Sequence, residues 1–298
     1  MVRVTETFEF AYIDVFAATP LTGAPLTLVP DADGLTDAQM RAVAREFNQS
    51  ETTFVLRSPR PDATWRLRSF TPTGEEVFGA GHNALGAWLW LAASGRLGLD
   101  GGEGAFTQLI GEDILPVHVR LPDPAAPVVT MDQSAPVFGA EAADRAGLAA
   151  ALGLAEDDLV PDRPARVVST GAGHLLVPIR DRAAVDRAAP DTARLIAALR
   201  DVGEGCYLYT HDTVDPAATA YARFFNPAMG IPEDPATGTA AGPLAAVLTA
   251  GDGTVVVEQG HAMGRPSTIT VTVSGPRVRI SGSGLVVAQG TMMLPAAG

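Results

Sequence analysis

Two acids and a run of small residues, Glu233 and Asp234 in "EDPATGTAAGPL", stand directly before a long apolar segment. A helix start offers unpaired backbone N–H groups and a partial positive charge, and small side chains let a ligand approach them. A second stretch, "GAGHNALGAW", sets Gly81, His82 and Asn83 at the head of another apolar run, as Gly238 and Thr239 head the first. Two such starts facing a cleft would suit a carboxylate, although tight packing of a helix on a strand would select the same small residues. A third cluster, "FNQSETTF", places Asn48, Ser50 and Glu51 where a helix gives way to a strand. A glutamate there can be simply an exposed edge residue, and its interest depends on what lies opposite it. A histidine side chain is the one whose ordinary range lies near neutrality, so His82 reads as a helix cap or as a proton carrier. Asp234 precedes Pro235, so it should be extended and outside the helix, where it serves as a cap or as a pocket carboxylate. "GAGHNALG" lacks the lysine of a P-loop and does not fit the dinucleotide spacing. His118, His174, His211 and His261 have no acidic partner nearby in sequence, and neutral surface or core roles are expected for them.

Elements of several kinds must position these residues. "FEFAYIDVFA" and "LTLVPD" read as strands, followed by a surface helix in "TDAQMRAVAREFN" with Thr36 as N-cap and Gln39 closing a capping box. "ETTFVLRS" and "ATWRLRSFTP" are strands, and "NALGAWLWLAASG" is a helix apolar nearly all round, hence buried. Three short strands follow in "AFTQLIG", "LPVHVRLPD" and "PVVTMDQ". A helix is expected across "AEAADRAGLAAALGL" (140–154), a strand in "ARVVSTGAGHLLVPIR", and a helix in "DTARLIAALRDVG". Strands in "GCYLYTHD" and "YARFFNP", a second buried helix after Asp234, and the strands "GTVVVEQG", "STITVTVSG", "RVRISGSG" and "LVVAQGTMML" complete the chain. One internal echo spans about thirty residues: "RSFTPTGEEVFGAGHNALGAWLWLAASG" and "ARFFNPAMGIPEDPATGTAAGPLAAVLTAG" each run strand, Phe-x-Pro, acid, small residues, apolar helix. A helix apolar on every side needs a sheet that wraps it, so the echo implies two similar halves. A cleft at such an interface is a common ligand site.

The chain has 298 residues, 47% of them hydrophobic, enough to build a core without disulfide or metal. A net charge of −13 leaves no basic footprint for nucleic acid or for an anionic membrane. The single cysteine, Cys206, excludes an internal disulfide, and no Cys/His ligand cluster exists. No secretory leader or membrane-length apolar run is seen, so a cytoplasmic location is expected.

Taken together, "IDVFAATPLTGAP", "AREFNQSETTFVL", "FTP…GAGHNALGA", "TMDQ", "EDPATGTAAGPL", "GRPS" and "SGSG…QGTMML" resemble, in order and over nearly the whole chain, the PhzF-like phenazine biosynthesis family, relatives of diaminopimelate epimerase. The resemblance implies an α+β fold of two pseudo-symmetric halves, each a barrel-like mixed sheet around a central buried helix. One half would comprise residues 1–128 joined by the extreme C-terminal strand (about 286–298), the other residues 129–285. It also implies a homodimer, no cofactor and no metal. Glu51 would be the general acid/base, with His82 and Asp234 in the same catalytic pocket. Asn48, Ser50, Gly81, Asn83, Gly238 and Thr239 would bind substrate. The implied reaction moves a proton along the conjugated system of a small carboxylate, such as trans-2,3-dihydro-3-hydroxyanthranilate, in secondary metabolism. An unsaturated proline precursor and a non-catalytic carboxylate-binding protein of the same fold are the alternatives. Gly81 and Gly238 stand where the epimerases carry their two thiols, which argues against racemase chemistry. Three departures from the family pattern bear on the substrate: Ala24 in place of its Asn, one extra residue before Gly81, and Asn83 after His82.

Overall fold

The computed structural model describes residues 5–99, 102–123, 126–200 and 203–295. It divides into two compact units, residues 1–131 with 282–298, and residues 132–281. Both divides fall inside continuous strands, a few residues from the expected boundaries.

In the first unit, β1 (Thr5–Val15) pairs antiparallel with β2 (Ala24–Val29) on one side. On its other side lies the end of the last strand of the chain, β17 (Arg277–Pro295), in a register running from Val15 opposite Gly284 to Thr5 opposite Pro295. Helix α1 (Asp37–Phe47) then carries the chain to β3 (Thr52–Arg57), which runs parallel to β2. Strand β4 (Trp65–Phe70) is antiparallel to β3 and holds the two-residue β5 (Glu76–Val77). Helix α2 (His82–Ala93) connects β4 to its parallel neighbour β6 (Glu103–Ile110). The antiparallel β7 (Asp113–Arg120) and β8 (Val128–Gln133) follow, and β8 pairs with β17, so the ladder returns to the strand on which it began.

The capping box at Thr36 and Gln39 forms as the sequence predicts. Met40, Val43 and Ala44 of α1 pack on Val29, Phe54 and Phe70. Helix α2 lies against β1 to β4, and every residue of it but Ala93 is buried. Its fifth residue is Gly86, where a Cβ would stand 2.5 Å from Leu26 Cδ2 and 2.8 Å from Val15 Cγ2, so the helix sits closer to the sheet than any side chain permits. Trp88 is fully buried and donates from Nε1 to Gln108 Oε1 at 2.8 Å, which settles its only polar atom.

The second unit repeats this order. After β9 (Val137–Glu141) and α3 (Arg145–Ala151), β10 (Arg166–Ser169) pairs antiparallel with β11 (Gly173–Pro178). Helices α4 (Arg182–Arg187) and α5 (Thr192–Leu199) lead to β12 (Gly205–Thr210), parallel to β11. Strand β13 (Ala220–Asn226) is antiparallel to β12 and holds the short β14 (Ile231–Asp234). Helix α6 (Gly238–Thr249) leads to β15 (Asp252–Gln259), parallel to β13, and the antiparallel β16 (Ser267–Ser274) passes the ladder to β17. Each parallel pair thus spans a helical crossover, and a short strand precedes each twelve-residue buried helix in both units.

Three sequence expectations are corrected. The helix expected over 140–154 is confined to Arg145–Ala151, because residues up to Glu141 pair with β10 and Asp144 caps the helix by accepting from the Gly147 N–H. "ARVVSTGAGHLLVPIR" is two strands, not one, folded back on each other. "RVRISGSG" and "LVVAQGTMML" form a single 19-residue strand. Among the described residues no helix is long and apolar enough to cross a membrane.

Candidate active site

Within the first unit, Glu51 sits at the junction where α1 ends. Asn48 closes α1 in the left-handed conformation (φ 51°), one of the few that Asn tolerates better than most residues, and its N–H bonds to the Ala44 carbonyl. The chain turns through Ser50 and enters β3 one residue beyond Glu51. This places the Glu51 Oε2 atom out of reach of solvent with no hydrogen-bond partner, although about a fifth of the side chain remains exposed. The imidazole Nε2 of His82 stands 3.6 Å from that oxygen, too far for a hydrogen bond, and 3.4 Å from Ser50 Oγ. Desolvation therefore dominates, and burial pushes the Glu51 carboxyl from 4.5 up to about 7. A carboxyl that exchanges its proton near neutrality is suited to both taking and returning one.

His82 is the first residue of α2 and is 8% exposed. The turn before it is held internally. Asn83 accepts from the Gly81 N–H at 2.8 Å and donates to Ser69 Oγ and to the Gly79 carbonyl. Ser69 Oγ in turn meets Thr53 Oγ1 at 2.9 Å. Asn83 is 2% exposed, and these bonds brace the Gly81–His82 turn. Asn48 and Ser50 are both exposed.

Within the second unit, Asp234 ends β14 in extended backbone, as its position before proline requires. Glu233 and Asp234 divide their tasks. Glu233 forms a bidentate ion pair with Arg223, both bonds 2.8 Å, while Arg223 also donates to the Val185, Asp186 and Ala188 carbonyls. Asp234 accepts from the Thr237 hydroxyl. The fully buried Gln259 holds the loop between them. Its Oε1 accepts from Tyr207 OH and the Thr237 N–H, and its Nε2 donates to the Asp234 carbonyl and Thr237 Oγ1. Ser267 Oγ adds a bond to the Pro235 carbonyl at 2.8 Å. At the head of α6, Gln133 Nε2 donates to the Gly238 carbonyl, and Thr239 Oγ1 lies 3.2 Å from His174 Nε2.

Of the residues selected from sequence, Glu51, Ser50 and His82 come together in the first unit, and Asp234, Gly238 and Thr239 share one helix start in the second. Gln259, Gln133, Thr237, Ser267 and Arg223 were not singled out. The only sequence signal for Gln259 is a polar residue ending the buried strand "VVVEQ". Cys206 is sealed in the core and its thiol is pushed up to about 12 by burial, so it is no acid/base at neutral pH. Among the described residues no three His, Cys, Asp or Glu side chains are grouped to hold a metal ion. A cavity of about 650 Å³ in the second unit, lined by Phe138, Arg163, Tyr209 and His211 among others, contains none of the candidate residues.

The family model described as phenazine biosynthesis-like protein matches residues 13–290. The uncharacterized isomerase YddE of Salmonella typhimurium is 35% identical, over 94% of this chain and 96% of that one. The trans-2,3-dihydro-3-hydroxyanthranilate isomerase of Pseudomonas chlororaphis is 34% identical, over 96% of this chain and 99% of that one. Among solved structures, the PhzF-family phenazine biosynthesis protein of Bacillus anthracis superposes with a TM-score of 0.89 at 28% identity, covering 97% of this chain and all of that one. The fold is the α+β, diaminopimelate epimerase-like one. With this match along nearly its whole length, and relatives named as isomerases, the chain belongs to the phenazine biosynthesis-like (PhzF) family of isomerases.

Proposed function

We propose that the protein isomerises a small, conjugated, carboxylate-bearing metabolite of the trans-2,3-dihydro-3-hydroxyanthranilate type by moving one proton, with Glu51 as the carrier. The observation that supports this most strongly is the Glu51 carboxyl itself, one oxygen buried without a hydrogen-bond partner, its pKa lifted to about 7 by desolvation. In the ionised form it abstracts a proton from carbon, and the electron pair moves into the conjugated system. In the protonated form it returns the proton at the other end, so the reaction is redox-neutral and regenerates the carboxylate. His82, 3.6 Å away, is assigned to orient the carboxyl or a polar group of the substrate. In the second unit, Gly238, Thr239 and Asp234 at the head of α6 are assigned to substrate recognition, where helix-start N–H groups favour an anion. The test is steady-state turnover of trans-2,3-dihydro-3-hydroxyanthranilate. Glu51→Gln keeps size and fold but cannot ionise, and is expected to lower kcat by at least about 10³, whereas turnover within tenfold of the unmodified enzyme refutes the role given to Glu51.

A further inference from the structure

His174 stands apart from the proton-transfer machinery, yet it touches the substrate-recognition end of α6. It lies on β11, 3% exposed, edge-on to the ring of Phe224 with centroids 5.0 Å apart. Its Nε2 is 3.2 Å from Thr239 Oγ1, while its Nδ1 is inaccessible and has no hydrogen-bond partner. Burial holds its pKa down at about 4, so the ring is neutral at physiological pH and carries a single proton. On Nδ1 that proton would make a buried, unpaired donor, which is costly. On Nε2 it enters the contact with Thr239. His174 then donates and Thr239 accepts, and the threonine hydroxyl keeps its own proton for a further acceptor.

We propose that His174 is a positioning residue that fixes the Thr239 hydroxyl as a hydrogen-bond donor toward the substrate carboxylate. The proposal rests on the assignment of Gly238 and Thr239 to carboxylate recognition. It gives the threonine a defined direction. Without His174 nothing in that contact fixes the direction of the hydroxyl proton. The neutrality of the ring also keeps the arrangement constant over the pH range in which Glu51 titrates.

Two measurements test it. Long-range ¹H–¹⁵N NMR of histidine-labelled protein, with His174 assigned by comparison with His174→Phe, reads the tautomer without any substrate. A neutral ring protonated at Nε2 from pH 5.5 to 8.5 is expected, and an Nδ1–H tautomer or a charged ring overturns the proposal. The second measurement is calorimetric affinity for 3-hydroxyanthranilate, the stable aromatic acid with the substituents of the proposed substrate. His174→Phe and Thr239→Val should each weaken binding about tenfold. The double variant should be no weaker than either, and His174→Gln, whose amide can still donate, should recover most of the loss. Unchanged affinity in His174→Phe, or additive losses in the double variant, overturns the proposal. Should His174→Phe fail to fold, His174→Gln supplies the NMR assignment, and the tautomer with the partly exposed Thr239→Val variant decides it. Failure of the unmodified protein to bind the acid counts against the substrate class alone, because the tautomer tests His174 independently.

Discussion

Glu51→Gln should make the protein more stable in alkali and leave its stability in acid unchanged. The reason is the sign of the linkage. Burial raises the folded-state pKa from 4.5 to about 7, with no hydrogen bond to Oε2 and His82 no nearer than 3.6 Å. The folded carboxyl therefore holds its proton more tightly than the unfolded one. Below pH 4.5 both states are protonated and ionisation costs nothing. As pH rises from 4.5 to 7 the unfolded chain ionises first and stability falls. Above 7 the loss is constant, about 3 kcal/mol at 1.36 kcal/mol per pH unit. Glutamine never ionises and escapes the loss, so the variant's advantage should grow from nothing near pH 4.5 to about 3 kcal/mol at pH 8, a rise of several degrees in Tm. Scanning calorimetry or urea unfolding at pH 4.5, 6 and 8 reads the difference. A difference independent of pH, or a variant less stable than the parent at pH 8, would show that the carboxyl is not held desolvated and without a hydrogen bond to Oε2.

Three further outcomes are expected. The kcat/KM of the unmodified enzyme should rise with pH to a plateau through a pKa near 7, since Glu51 must be ionised to abstract a proton, and a flat profile from pH 5 to 8 would contradict this. Arg223→Met should cost about 3–5 kcal/mol in urea unfolding, because it strands Glu233 and three backbone carbonyls, whereas a loss under 1 kcal/mol would mean that the pair is dispensable. Gly242→Ala would put a Cβ 1.7 Å from Gln133 Oε1 and drive that side chain off the Gly238 carbonyl. A stability loss of about 1–3 kcal/mol with a raised KM is expected, and an unchanged KM would detach Gln133 from substrate binding.

What could be read from sequence was whatever is decided locally. The capping box of α1 lies within four residues, and the two buried helices announce themselves by being apolar on every face. The short "RAAVDR" helix α4 has neither signal, being set by the Asp181 cap and by burial of Ala184 and Val185 alone. The residues of the candidate site were found as loop motifs, but what holds them was not, because it acts over long range. Gln259 reaches Thr237 across 22 residues, His174 reaches Thr239 across 65, and Gln133 reaches Gly238 across 105. A glutamine or histidine on a strand gives no hint of such a partner until the sheet is closed. The same holds for Asn83. Its place after His82 suggested contact with substrate, but only the fold brings Ser69 near enough to engage its amide in bracing the turn.

The most direct test of Glu51 as proton carrier is solvent exchange. About a fifth of the Glu51 side chain is exposed, so its carboxyl can exchange with solvent while it holds the proton. Incubated in D₂O with trans-2,3-dihydro-3-hydroxyanthranilate, the unmodified protein should place deuterium at the carbon that receives the proton, and Glu51→Gln, folded by calorimetry, should place none above background. Incorporation by the glutamine variant at the parental rate would contradict the account.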